Sequence, residues 1–384
     1  MSLDPLLFTP GPVMLPREVL QELGKQVVSH RSSDFRRIFS ETVEFLKTVF
    51  KTENEIIVLT ASGTGGVEAS LINLLKPGER IIVPVYGVFS SRAAETASRL
   101  GINVISQKME LPEEDKILQL IEENEAEALF MVYNETSPGI TVRKLAKIVE
   151  EAKSKGLLVI VDAISILGGD LLETDKWGID VVVAGSQKCL MSPPGLSFVS
   201  LSAEAIKKMG NVPRRTFYFD FQRYLKFLKE RRETPYTPAV NILYATRTAL
   251  KIIVEKIGLD NWINLHKDRG MILYESLEDL KMDPIIPLGY RSYTVISVAP
   301  PNGLKADELL DLLRRKYSIY CAGGLENWKG KILRFGNMGY ITRRTLLTLI
   351  SALSDLLSSR GININLSRAL NRVSALKDVE WQSI

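Results

Sequence analysis

Asp180 to Gly195, DVVVAGSQKCLMSPPG, is the stretch from which the rest of the chain can be read. Val181, Val182 and Val183 form a β-branched apolar run, which predicts a buried strand. Ala184, Gly185 and Ser186 break that pattern, and Pro193-Pro194-Gly195 turns the chain. Gln187 and Lys188 therefore sit at the carboxyl end of the strand. A lysine there either reaches solvent from a loop or sits partly desolvated among apolar and small neighbours. In the second case its pKa falls and the neutral amine becomes a nucleophile.

Two other stretches bear on that choice. Leu157 to Gly169, LLVIVDAISILGG, predicts a second buried strand with Asp162 at its end. Ligands of parallel α/β sheets sit beyond the carboxyl ends of strands, and the separation of Asp162 and Lys188 leaves room for one connection between neighbouring strands. Ile56 to Leu75, IIVLTASGTGGVEASLINLL, reads as strand, turn and helix, with Ser62-Gly63-Thr64-Gly65-Gly66 at the bend. Backbone N–H groups exposed at such a helix start suit a phosphate. A dinucleotide fingerprint would need glycine at position 68, where Glu68 stands, and no Walker lysine follows. A single phosphate, a carboxylate and a desolvated amine are the set that pyridoxal 5′-phosphate requires: an anchor, an anion for its pyridinium nitrogen, and a lysine partner.

Composition narrows the field. At 384 residues, 45% hydrophobic and 24% charged, the chain is an ordinary globular protein with two domains expected. A net charge of +4 is too small and too evenly spread for a nucleic-acid surface. The sequence predicts no membrane span and no signal peptide. Two cysteines, Cys189 and Cys321, point to a reducing cytoplasm, and two histidines, His30 and His266, disfavour a multi-histidine metal centre or a Ser-His-Asp hydrolase.

Four prolines in residues 1–16 predict an extended arm, which either crosses to a partner subunit or is frayed. Ser33 or Asp34 is expected to cap a helix through Phe35, Ile38, Phe39, Val43 and Leu46. The segment RIIVPVYGVFSS reads as a strand entering a loop, and Phe89 at its end either packs in the core or lies flat on a cofactor ring. NETSPG places Glu135, Thr136 and Ser137 at a strand terminus, where a hydroxyl can reach a cofactor. Alternation of strands and helices to about residue 200 predicts a doubly wound parallel sheet. An aromatic-rich segment, Phe217 to Lys226, reads as a pocket wall or a subunit contact. Arg334 within ILRFG needs an anion, either a carboxylate of the chain or a bidentate ligand.

The blocks TPGPVMLP, HRSSDFRRIF, ASGTGGVEA, ETSPG, VDAISILGG, GSQKCLMSPPG, PYTPAV and LRFGNMG, in this order, resemble class-V aminotransferases of the serine–pyruvate/alanine–glyoxylate group. The resemblance covers nearly the whole chain. It implies an α/β fold of type I among pyridoxal-phosphate enzymes: a large domain with a mostly parallel seven-stranded sheet flanked by helices, and a smaller α+β domain. The divisions expected are an arm over 1–16, the large domain over 17–257 and the small domain over 258–384. It implies Lys188 as Schiff-base lysine and proton shuttle, Asp162 on the pyridinium nitrogen, and Ser62, Gly63, Thr64 and Gln187 on the phosphate. Phe89 is implied to stack on the ring, where relatives often carry Trp, and Thr136 to lie near the ring oxygen. Tyr236 and Thr237 are implied to bind cofactor, Thr237 reaching the partner subunit's phosphate, hence a homodimer. Arg334, with Gly11, is implied to hold the substrate. Relatives often have Tyr three residues before Thr237, where this chain has Thr234. The activity implied is ping-pong transamination between serine or alanine and pyruvate or glyoxylate. The alternatives are a cysteine desulfurase, which would need a mobile-loop cysteine, and a non-catalytic relative of the fold.

Overall fold

A computed structural model describes residues 5–379 and 381. The amino-terminal half of the chain consists of β1 (Leu6–Phe8), α1 (Arg17–Leu23), α2 (Ser33–Phe50), β2 (Glu55–Leu59), α3 (Gly63–Leu74), β3 (Arg80–Val85), α4 (Val88–Arg99), β4 (Asn103–Lys108), β5 (Ala128–Val132), a hairpin of β6 (Asn134–Glu135) and β7 (Ile140–Thr141), β8 (Leu158–Asp162), β9 (Val181–Gly185) and β10 (Ser197–Leu201), with further helices at Glu114–Glu122 and Leu145–Ser154. Seven of these strands form one sheet in the order β2-β10-β9-β8-β5-β3-β4. Strands β9, β8, β5, β3 and β4 run parallel, and β10 lies antiparallel between β9 and β2. The mostly parallel seven-stranded sheet implied by the resemblance is therefore present. Every residue of β5, β8 and β9 is buried. Helices cover both faces of a parallel sheet, and that is why these strands read as unbroken apolar runs.

Helix α3 lies directly on this sheet. A Cβ added at Gly66 would stand 2.2 Å from Ser197 Oγ and 2.9 Å from Val183 Cγ1, so only glycine permits the approach. The helix α2 expected in the sequence is capped one residue earlier than the reading of Ser33 or Asp34. Ser32 is the N-cap, and its side chain accepts from Phe35 N–H.

The remaining strands, β11 (Asp283–Pro284), β12 (Val295–Ala299), β13 (Ile319–Gly323) and β14 (Leu333–Gly336), make a second sheet in the order β1-β13-β14-β12-β11. Its apolar core includes Leu309, Leu313, Phe335, Leu349 and Leu353, separate from the core of the large sheet. The described part of the extended arm is tied into this sheet. Strand β1 pairs in parallel with β13, Leu6 opposite Ile319, and Phe8 is fully buried in the second core. Pairing satisfies backbone groups that a frayed arm would leave to water. The arm then crosses Gly336 so closely that a Cβ there would meet Thr9 O at 2.0 Å.

The tight seat of α3 gives a stability test. Replacing Gly66 by Ala improves helix propensity by about 1 kcal/mol, but overpacking against Val183 and Ser197 costs roughly 1–3 kcal/mol. The expected outcome is a net loss in a thermal melt of G66A, in contrast to the gain that an uncrowded helical glycine would give.

Candidate active site

One cleft opens at the carboxyl ends of the parallel strands, where such sheets bind ligands. Its lining includes Ser62, Gly63, Thr64, Phe89, Thr136, Asp162, Gln187 and Lys188. Strand register brings the last three together. Asp162 ends β8 opposite Val183 of β9, and the chain leaves β9 through Ser186 before presenting Gln187 and Lys188. Ser186 Oγ, which donates to Pro193 O at 2.6 Å, closes the loop behind the lysine.

Lys188 is not a solvent-reaching loop lysine. Its Nζ donates to Pro10 O of the arm, and a Cβ at Gly11 (φ +96°) would lie 2.7 Å from Nζ. Burial of the ammonium lowers its pKa to about 8, against the opposing pull of Cys189 and Asp162. Asp162 accepts from Ile164 N–H at 2.9 Å. Burial raises its carboxyl to about 7; the Ile164 hydrogen bond opposes this, and Glu135 adds to it. The cleft thus holds a desolvated amine and a desolvated acid, neither neutralised by an ion pair of its own.

At the other end of the cleft, Ser62 caps the twelve-residue helix α3, its side chain accepting from Gly65 N–H. The first N–H groups of a helix lack intrahelical partners and favour an anion. Gln187 Oε1 is buried without a hydrogen-bond partner. A Cβ at Gly63 would fall 2.5 Å from Ile164 Cδ1, so any larger residue there must displace that side chain. Phe89 lies half-buried on the first turn of α4, packed against the core of the large sheet on one side and lining the cleft on the other. These features fit pyridoxal phosphate: an anion seat at α3, an aromatic plate, an acid lacking a cation, and a free amine.

Arg334 of β14 is buried. Its Nε donates to Gly323 O at 2.7 Å and its Nη1 to Thr136 O at 2.8 Å. Both partners are carbonyls, so the salt bridge to a carboxylate of the chain that the sequence left open is not what holds it. Loss of solvent pulls its pKa down to about 10, against the favourable field of Glu135. Tyr236 and Thr237 stand outside the cleft of their own chain. Tyr236 Oη donates to Phe217 O at 2.8 Å, and Thr237 is exposed with His30 Nε2 at 3.5 Å. Thr234, where relatives often carry Tyr, is buried and donates to Tyr236 O at 2.7 Å. The aromatic segment continues this surface, with Phe217 71% exposed.

Sequence reasoning missed three contributors. Arg92 lines the cleft with its guanidinium 4.9 Å from the Phe89 ring centre, one helical turn beyond it. Asn134 and Ser165 also line it, joined by a 2.8 Å hydrogen bond. The position of Arg92 three residues after Phe89 was a usable signal, because i and i+3 share a helix face. Asn134 and Ser165 carry none, since a tertiary contact alone joins them.

Comparison with known proteins agrees with this geometry. The profile of the family "Aminotransferase class-V" matches residues 6–327. An uncharacterized aminotransferase of Methanocaldococcus jannaschii is 34% identical over 366 residues, 94% of each chain. A serine–glyoxylate aminotransferase of Methylorubrum extorquens is 31% identical, covering 93% of this chain and 92% of that one. The crystal structure of an alanine–glyoxylate aminotransferase from Nostoc sp. superposes with a TM-score of 0.86 at 30% identity, over 93% of this chain and 96% of that one.

The raised Asp162 carboxyl has a measurable consequence in the cofactor-free protein. The folded state keeps a proton on Asp162 between pH 3.8 and about 7, where the unfolded chain has lost it. Stability from this group is therefore lost as pH rises through that window. Melting temperatures of apo D162N, compared with wild type from pH 4 to 8, should lack that downward component.

Proposed function

This chain belongs to the class-V aminotransferases, and on that premise we propose that it moves the amino group of a small amino acid, serine or alanine, to a small 2-oxo acid, pyruvate or glyoxylate, in two half-reactions. The enzyme is a pyridoxal-phosphate-dependent aminotransferase. Support for small substrates comes from the serine–glyoxylate and alanine–glyoxylate aminotransferases it resembles.

Ser62, Gly63, Thr64 and Gln187 would hold the cofactor phosphate, Phe89 and Thr136 the ring, and Asp162 the ring nitrogen. Pyridoxal phosphate, when bound, supplies a carbonyl for the donor's amine and a ring that accepts the electron pair released at Cα. The chain's own residues do the rest. Lys188 Nζ is the base that takes the α-proton and returns it, and its lowered pKa leaves a large neutral fraction near pH 8. Arg334 receives the α-carboxylate. Gly323 O and Thr136 O accept from its Nε and Nη1, and among the described residues nothing engages Nη2, which can complete a charge-assisted pair. Gly11 keeps the arm close to Lys188 without a side chain in the substrate's path. The observation that carries this reading is the buried Arg334, which among the described residues pairs with no carboxylate and is tied to Thr136 of the cleft that Lys188 and Asp162 line.

The reading includes a homodimer in which Tyr236 and Thr237 reach the partner's cleft, supported by the exposure of Thr237 and the absence of both from the lining of their own cleft. A reducing cytoplasm suits two unpaired cysteines; among the described residues no helix is long and apolar enough to cross a membrane. A desulfurase is disfavoured by the cysteines themselves. Cys189 is buried, its thiol pushed up to about 12 by desolvation, with Ser165 O as its acceptor. Cys321 lines a separate surface depression with Asp307 and Arg314.

Two measurements test the proposal. Spectral titration of the purified enzyme with serine, alanine and aspartate should show conversion of the cofactor band by the small donors first; preference for cysteine with sulfide release overturns it. In R334Q the KM of the preferred donor should rise about 10- to 100-fold, the worth of a hydrogen bond to a charged group, while K188A should lose turnover altogether.

A further inference from the structure

Helix α4, which carries Phe89, begins after Gly87, a residue without a side chain to cap it. The cap comes from another part of the chain. Glu135, fully buried at the end of the β6 strand, accepts from Phe89 N–H at 3.1 Å and from Ser90 N–H at 2.9 Å. Ser137 Oγ accepts from Val88 N–H at 3.0 Å and donates to Glu135 Oε1 at 2.7 Å. The first three N–H groups of α4 are thus satisfied by residues 135 and 137. The negative charge lies at the positive end of the helix, where it is favoured. Gly87 makes room for it, since a Cβ there would meet Glu135 Cδ at 2.3 Å. Between the two capping residues stands Thr136, which lines the cleft and whose carbonyl holds Arg334.

We propose that Glu135 is a positioning residue for the transamination site. From outside the cleft it sets the plane of Phe89 and, through Thr136, ties that plane to Arg334. An ordinary helix cap would need only one acceptor. Here both carboxylate oxygens are used by α4 and by the neighbouring Ser137, so helix and hairpin are locked to each other as well as to themselves. Exchange of one oxygen for an NH2 group sets donor against donor and tilts the start of α4. The inference rests on the ring-stacking role proposed for Phe89.

The test is a double-mutant cycle on the cofactor dissociation constant of the apo-protein, with visible circular dichroism of the bound cofactor as second readout. E135Q should weaken cofactor binding about tenfold in the wild-type background, the scale of a lost charge-assisted hydrogen bond, and less than about twofold when Phe89 is already Ala. The dichroic band should shrink in E135Q and recover in part in E135D. If E135Q does not fold, S137A is read in the same cycle. Equal losses in both backgrounds, or an unchanged constant and band in E135Q while F89A is weakened, overturn the inference alone. An unchanged constant in F89A overturns the stacking role and the inference with it.

Discussion

Placing a largely desolvated amine and acid in one cleft, without a mutual ion pair among the described residues, is the constraint on which this structure turns. Lys188 has Pro10 O and Asp162 has Ile164 N–H as hydrogen-bond partners. Burying either charge alone is expensive, and each responds by moving toward its neutral form, to about 8 and about 7. In the proposed site a cationic ring nitrogen would relieve the acid and a carbonyl would relieve the amine. The same desolvation would favour a ligand that supplies both partners.

The fold holds this arrangement by stiffness rather than by many polar contacts. Strands β8 and β9 are buried over their whole length and pair directly, so Asp162 and the turn before Lys188 cannot slide past each other without exposing apolar faces. Helix α3 is pressed against β9 and β10 by Gly66, which fixes where its N-terminal N–H groups point. The anion seat, the acid and the amine are each one short step from the central sheet.

The surroundings of Arg334, the proposed substrate anchor, are built differently. Arg334 comes from the second sheet, while Thr136, which orients it, comes from a hairpin beyond β5. The arm runs from the second sheet to the lysine: β1 is an edge strand of that sheet, Thr9 packs over Gly336, and Pro10 meets Lys188. One continuous stretch of chain, residues 6–10, therefore joins the small sheet to the lysine. An arm rich in proline suits this, because it spans the distance without forming a competing helix.

Much of the site was legible in the sequence because the fold advertises it locally. Apolar runs that stop at Asp162 and before Lys188, and a glycine-bearing bend at 62–66, are consequences of strand burial and helix capping, and both depend on neighbours in sequence. By itself the sequence determined the strand–helix alternation, the chemistry of the lysine and the acid, and the family resemblance. Only the tertiary structure decided that Leu6–Phe8 of the arm is a strand, that Arg334 is held by carbonyls, and that Glu135 caps a helix 45 residues upstream of it. Such contacts join residues whose own neighbourhoods say nothing of each other; chain packing, and not local pattern, brings them within hydrogen-bond distance.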